Sequence, residues 1–435
     1  MLTWHTLDTD DVLLYSISTL PHQQHTNKTN NIITTTSTAA ATTRPVAKVF
    51  ADGSKVMIDY GSLKPASELQ KQMGARMLEA GVNRTKSLKK NTYSSTYAQV
   101  LKQSLARELA KEAARPAAGG ARERRGNKKN QRQLTPGVSS DSTATQVAAT
   151  LPAAYDTREA FPRCTPIVRD QGSCGSCWTF ATTGVLSQRT CIENENLDSN
   201  FVLSPQSMLT CDDDCFKFTS TCNSGCVGGY TAIAFENLVK TGSTPEHCVA
   251  YTSAGGADPE TCGDFNTEDS VMHSIANCEL SSDNSDTHIK GDASYNLYGV
   301  QEMMTDIYLN GPIQTTFLLE NDLYGYASGV YECNTDGGDL GGHATITVGW
   351  GEENGVKYWI IQNSWGSDWG DGGFFKLRRG VDACGIESNA DAVMAKSGVT
   401  FEEGNVVLAS GTATLTTSDF AVAAAVAVAV AGAAF

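Results

Sequence analysis

The sequence predicts an α+β fold, helical after Cys177 and β-stranded around His343 and Asn363, behind a long amino-terminal extension. Three observations predict it. From Trp178 to Leu186 the chain carries apolar residues and no proline, as a buried helix does. Far downstream, Gly341–Gly349 alternates apolar and polar residues and Tyr358–Ile361 is an apolar run, both readings of β-strand. Near residue 150 the composition breaks. None of the 13 cysteines precedes Cys164, and charge changes sign: residues 1–150 hold 21 basic and 11 acidic residues, net +10, whereas 151–435 hold 12 and 37, net −25. With 435 residues, 40% apolar and 19% charged, the chain is neither fibrous nor wholly disordered, and its acidic part is a poor partner for nucleic acid.

Residues 21–45 are dominated by Thr, Asn, Ser and Ala, too poor in large apolar groups to repay ordering, and read as disordered. Tyr97–Ala114 places Tyr97, Val100, Leu101, Leu105 and Leu109 on one helical stripe. That helix should stop in the Pro116–Gly120 breaker. The basic run at 122–132 then reads as a solvated linker or as a processing site, since exposed unstructured basic stretches are where proteases cut. Thus 1–150 is expected to be an amino-terminal extension acting as a propeptide, 151–398 the main domain and 399–435 a tail.

Thirteen cysteines, an odd number in a dense set, suggest bridges plus one thiol kept for chemistry, and bridges belong to an oxidising compartment. At the amino end, Val12–Leu20 is short and follows Asp8, Asp10 and Asp11, so it does not read as a secretory signal; the cysteines are given more weight. At the other end, Ala409-Ser410-Gly411, a polar spacer and sixteen apolar or Gly residues (Phe420–Phe435) fit a lipid-anchor (GPI) attachment signal, the alternative being a disordered Ala/Val tail.

Candidate chemistry starts at Gln171-Gly172-Ser173-Cys174-Gly175-Ser176-Cys177-Trp178. A cysteine in the first turn of a helix meets unpaired amides and the positive end of the macrodipole, which lower a thiol pKa from about 8.5. A thiolate nucleophile needs a His to move the proton and a third group to orient that ring. Of seven His, only His343 is well placed, in a glycine-flanked strand; Asn363 can fix its tautomer and Trp365 can shield that bond. Cys177 lies 166 residues before His343 and 186 before Asn363.

Cys174-Gly175-Ser176-Cys177-Trp178 with His343 and Asn363 resembles the papain family of cysteine proteases. Gly225-Cys226-Val227-Gly228-Gly229-Tyr230, Asn310-Gly311-Pro312 and Cys384-Gly385-Ile386-Glu387-Ser388 narrow the resemblance to cathepsin B-like enzymes, over about 150–398. The resemblance implies a helical left lobe, a β-barrel-like right lobe and a cleft between them. It implies peptide hydrolysis through a thioester, with no metal or organic cofactor, by a monomer made as a zymogen and inhibited by its own amino-terminal segment. Cys177 would be nucleophile, His343 acid and base, Asn363 orienter, and Gln171 with the Cys177 amide the oxyanion donors. Gly228 and Gly229 would pair with an extended peptide, and Trp365 and Asn389 would also line the substrate site. The bridges implied are Cys164–Cys191, Cys174–Cys226, Cys215–Cys222 and Cys333–Cys384. Cys211–Cys278 and Cys248–Cys262 are a choice among alternatives, and a Zn site at Cys211, Cys215, Cys222 and Cys226 is the rival.

Two departures from cathepsin B stand out. The Cys248–Cys278 region lacks the adjacent His pair that confers dipeptide trimming, which predicts an endopeptidase. Asn389 replaces a Glu that accepts Arg, which predicts weaker selection for Arg and more for apolar residues. Other readings are a silent binding or adhesion protein on a protease scaffold, and a peptide ligase. The expected location is a lysosome, vacuole or the cell exterior, with a GPI-anchored surface form.

Overall fold

The computed structural model describes residues 45–50, 53–59, most of 97–107, and 151–408 except 195–196, 198–200, 213, 216–221, 257–261, 263–287, 334–340 and 403–404. The basic run at 122–132, Cys278 and the tail beyond 408 lie outside the described residues, as do 21–44.

Two apolar cores lie side by side. The first gathers Trp178, Val185, Leu186, Phe235 and Leu238 around α3 (Cys177–Glu193) and α5 (Thr231–Lys240), with α4 (Pro205–Cys211) beside them. α3 is buried along almost its whole length, yet it carries many hydroxyls. Most are satisfied locally: Thr182, Thr183 and Ser187 donate to the carbonyls of Trp178, Thr179 and Thr183 at 2.6–2.8 Å, whereas the buried Thr190 Oγ1 has no partner among the described residues. Gly184 lets α3 lie close on the neighbouring sheet, since a Cβ there would fall 2.6 Å from Ile346 Cδ1.

The second core, with Phe317, Trp350, Trp359, Phe375 and Leu377, belongs to the sheet lobe. Its strands are β4 (Gly291–Leu297), β5 (Ile313–Leu318), β6 (Tyr326–Tyr331), β7 (Gly342–Glu353), β8 (Val356–Gln362), β9 (Phe374–Arg378) and β10 (Ala390–Ala395), with α6 (Gly299–Asn310) packed alongside. The order β6-β9-β8-β7-β5-β10-β4 is an open path, so the barrel-like lobe expected from the resemblance is here an unclosed sheet. Short β3 (Tyr155–Asp156) joins β7 off the path, and α2 (Thr157–Ala160) follows it.

The extension takes part in this architecture. β1 (Val46–Val49) and β2 (Lys55–Ile58) form a hairpin that continues the sheet, β2 running antiparallel to β6. Val56 and Ile58 are fully buried in the sheet-lobe core. Lys48 bonds Asp322 and sits 5.2 Å from the Phe50 and Tyr331 rings. α1 (97–107) turns part of the predicted stripe inward: Tyr97, Val100 and Leu101 are buried, and Leu105 and Leu109 lie outside the described residues. Tyr97 packs 5.9 Å from Tyr295, and Arg107 pairs with Glu193 at 2.8 Å.

Candidate active site

α3 starts at Cys177, with Ser176 as its N-cap, so the nucleophile predicted from sequence stands where helix amides and dipole favour a thiolate. Cys177 is buried and outside every disulfide among the described residues. The bridges Cys164–Cys191, Cys174–Cys226, Cys215–Cys222 and Cys333–Cys384 form as expected. The other choice is corrected: Cys211, at the end of α4, has its Cα 5.0 Å from that of Cys262 and bonds it. Cys211–Cys278 and Cys248–Cys262 are therefore excluded. Cys248 is bridged too. Cys211, Cys215, Cys222 and Cys226 are all spent in bridges, which leaves no thiolate set for Zn.

His343 stands near the start of β7, paired across the sheet with Phe317 of β5. Asn363 follows the last residue of β8. The His343 Nε2 to Asn363 Oδ1 distance is 2.8 Å, and the same oxygen accepts the Ser364 amide at 2.9 Å. A carbonyl oxygen only accepts, so Nε2 carries the proton and Nδ1 of the neutral ring is left as the base. Nδ1 is buried and makes no hydrogen bond within the protein. Burial pushes the imidazole pKa down to about 4, against the opposing effect of the Asn363 bond.

Trp365 shields this pair as expected, stacked 4.8 Å from the His343 ring. Its other neighbours were not foreseen: Tyr324 stacks on it at 4.3 Å and Trp369 meets it edge-on at 4.9 Å. The Tyr324 phenol pKa is raised by burial and, to a lesser extent, by the nearby Cys177.

Gln171 is fully buried and held on three sides. Its backbone N–H donates to Ser364 O at 2.9 Å, its Oε1 accepts from Ser364 Oγ at 2.6 Å, and its Nε2 donates to Cys174 O at 2.9 Å. At the glycine pair, the Gly228 N–H donates to Gly225 O and its carbonyl accepts from Ser224 N, so its groups are bonded within the chain. Gly229 lies against the Trp178 indole, where a Cβ would sit 2.6 Å from Cδ2. Asn389 is nearly buried and donates to Gly385 O at 2.8 Å.

The model for papain family cysteine proteases matches residues 151–394, more than half the chain. The chain belongs to this family. It is 35% identical over 279 residues to cathepsin B-like cysteine proteinase 5 of Caenorhabditis elegans, covering 60% of this chain and 79% of that protein. It is 37% identical over 250 residues to cathepsin B-like CP2 of Giardia intestinalis, covering 56% and 74%. Procathepsin B S9 from Trypanosoma congolense shares the fold, with a TM-score of 0.51, 24% identity, and coverage of 77% of this chain and 89% of that one. Within this papain-family site, sequence reasoning missed Ser176, Tyr251 and Tyr324. Nothing local marks the two tyrosines, because each comes from a segment distant in sequence from Cys177, Tyr324 from a short 3-10 helix.

Proposed function

We propose that this papain-family protein is a cysteine endopeptidase made as a zymogen. The observation that carries the reading is the oriented imidazole: Asn363 holds the Nε2 proton and Trp365 covers the bond, leaving Nδ1 as base beside a helix that starts with Cys177. In the reaction, Nδ1 takes the thiol proton and Sγ attacks the peptide carbonyl carbon. The carbonyl π pair moves to oxygen, where the Cys177 amide and Gln171 Nε2 stabilise it. The imidazolium then gives its proton to the leaving amine. Water, deprotonated by the same nitrogen, hydrolyses the thioester.

Gly229 is the residue for strand-like pairing with substrate, since the Gly228 groups are bonded inside the chain. Asn389 offers no charge to a guanidinium, so selection there falls on apolar side chains, and the absence of a His-His pair in 248–278 favours internal cleavage. The hairpin β1–β2 and helix α1 are the docked part of an inhibitory segment spanning 1–150, cut at 122–132; the protease domain covers 151–398. The five described bridges support a route through the secretory pathway, to a lysosome, a vacuole or the cell exterior. The tail at 399–435 would tether a surface form through a lipid anchor.

The test is labelling with an epoxide that alkylates activated thiolates, followed by mass spectrometry, on wild type and Cys177→Ala at pH 5 and pH 7. Label on Cys177, internal cleavage of peptides and loss of mass from the amino end are expected. An unlabelled, correctly bridged wild type would overturn the enzyme reading. Efficient release of carboxy-terminal dipeptides would overturn the endopeptidase assignment.

A further inference from the structure

We propose that Tyr251 is a positioning residue of this peptidase, tying together the two chain segments that supply the oxyanion donors. The inference rests on the peptidase reading and adds to it a residue in neither the nucleophile helix nor the His–Asn pair.

Tyr251 Oη lies 2.8 Å from Gln171 O and 2.8 Å from Ser176 Oγ. A backbone carbonyl only accepts, so the single phenolic proton goes to Gln171 and the Ser176 hydroxyl must donate to Tyr251. The result is a directed chain, Ser176 O–H to Tyr251 O–H to the Gln171 carbonyl. One end is the residue whose side-chain amide is the first proposed donor. The other is the residue just before the Cys177 amide, the second.

The same bond explains the start of α3. A serine at an N-cap ordinarily accepts from an amide of the first turn with its own oxygen. Ser176 makes no such cap bond; its side chain is turned to Tyr251 instead. The Thr179 amide donates instead to the Ser176 carbonyl at 2.9 Å, so the side-chain hydroxyl is left for Tyr251.

The tyrosine is itself well held. Its ring meets Phe180 of α3 edge-on at 4.7 Å. The residues after it are fixed by Gln206, whose Oε1 accepts from Thr252 N at 3.0 Å and Ser253 N at 3.3 Å. Ala254 O then accepts from Ser173 N at 2.7 Å. A Cβ on Gly172, which has φ +63°, would collide with that carbonyl. The 251–256 segment thus lies directly on the 171–173 turn.

Tyr251→Phe keeps the ring and its Phe180 contact while removing the one O–H. The expected result is a fall in kcat of about tenfold with KM for a peptide substrate within about twofold, the split of an interaction felt mainly in the transition state. A peptide aldehyde reads the oxyanion directly: Cys177 Sγ bonds its carbonyl carbon, the π pair moves to oxygen, and that oxygen occupies the donor site. Its affinity should weaken by the same factor as kcat. The rate and pH profile of Cys177 alkylation by iodoacetamide, which needs thiolate but no oxyanion, should not change.

Unchanged kcat and aldehyde affinity would overturn the proposal. So would an equal loss in alkylation, which would place the effect in the thiolate. If Tyr251→Phe does not fold, Ser176→Ala breaks the chain from its other end and is held to the same criteria. A folded wild type that neither turns over peptide nor binds the aldehyde would overturn the peptidase reading, and this inference with it.

Discussion

Removing the carboxylate of Asp306 should destabilise the enzyme far more than an average substitution, through a residue that never meets substrate. Arg189 and Asp306 are 1% and 0% exposed and ion-paired. All five guanidinium N–H groups find acceptors. Nε donates to Pro312 O at 2.6 Å, Nη1 to Tyr295 Oη at 2.7 Å and Val393 O at 3.0 Å, and Nη2 to Gly311 O at 3.2 Å and to Asp306. Burial lowers the Arg189 pKa, but Asp306 and Tyr295 outweigh it and hold the group charged. Asp306 also accepts from Tyr295 Oη at 2.9 Å and Asn310 Nδ2 at 2.6 Å. Asp306→Ala leaves a buried cation with only neutral partners and strands those two donors, a loss of roughly 3–5 kcal/mol. At about 2–4 °C per kcal/mol for a domain of this size, Tm should fall by about 10 °C. The assay is thermal unfolding in a Cys177→Ser background, which prevents self-digestion. Arg189→Met with Asp306→Leu should recover part of the loss, though not all, because Pro312 O, Gly311 O and Val393 O lose their donors. A cost below about 1 kcal/mol, or a double mutant costing the sum of the singles, would refute the reasoning.

Asn363→Ala removes the acceptor that orients His343 and should lower kcat/KM by about 10–100-fold, the worth of a bond of about 1.5–3 kcal/mol, as steady-state kinetics on a fluorogenic peptide will show. Gly229→Ala drives a Cβ into Trp178 and should cost about 1–3 kcal/mol of stability and reduce kcat/KM, read by urea unfolding and kinetics together. His343 makes stability depend on pH with a definite sign. Its folded pKa of about 4 lies below the ordinary imidazole value of 6.5, so the unfolded chain takes up the proton first as pH falls. Stability should therefore be full above pH 6.5 and decline by about 3 kcal/mol as pH falls to 4, a slope that His343→Gln removes in urea titrations at several pH values.

The parts of the site legible in the sequence are those whose signal is local. Cys177 begins a proline-free buried helix, His343 opens an alternating strand, and Asn363 closes an apolar one; each could be placed on its element from neighbours alone. The stripe at Tyr97, Val100 and Leu101 was legible for the same reason. What could not be read depends on chain segments meeting. Cys211 has several possible partners until the loop containing Cys262 is folded against the end of α4. Tyr251 acts on a carbonyl 80 residues away. Closure of the sheet depends on whether its two end strands meet, which no strand's own pattern encodes. The hairpin is different, because its signal was present: Asp52-Gly53 separates two short apolar segments, and Gly53 takes φ +82° as such a turn demands. The polar stretch before it masked the pattern.

A nucleophile on a helical lobe and a base on a sheet lobe must keep a fixed distance, and α3 is the element that sets it. Its first residue carries the thiol. Two turns on, Gly184 seats the helix against Ile346, three residues from His343 on the same strand. One turn further, Gln188 Nε2 donates to Gln362 Oε1 at 3.1 Å, immediately before Asn363. The next residue, Arg189, reaches β4, β10 and α6 through its five bonds. Each of the three groups of the proposed chemistry is thus referenced to one rigid rod, and the apolar cores on either side share β7, with Ala344, Ile346 and Val348 in one and Trp350 in the other. Relative motion of the lobes at this point would break buried hydrogen bonds with no water to replace them. The thiol of Cys177 and the imidazole of His343 are therefore held in register through α3.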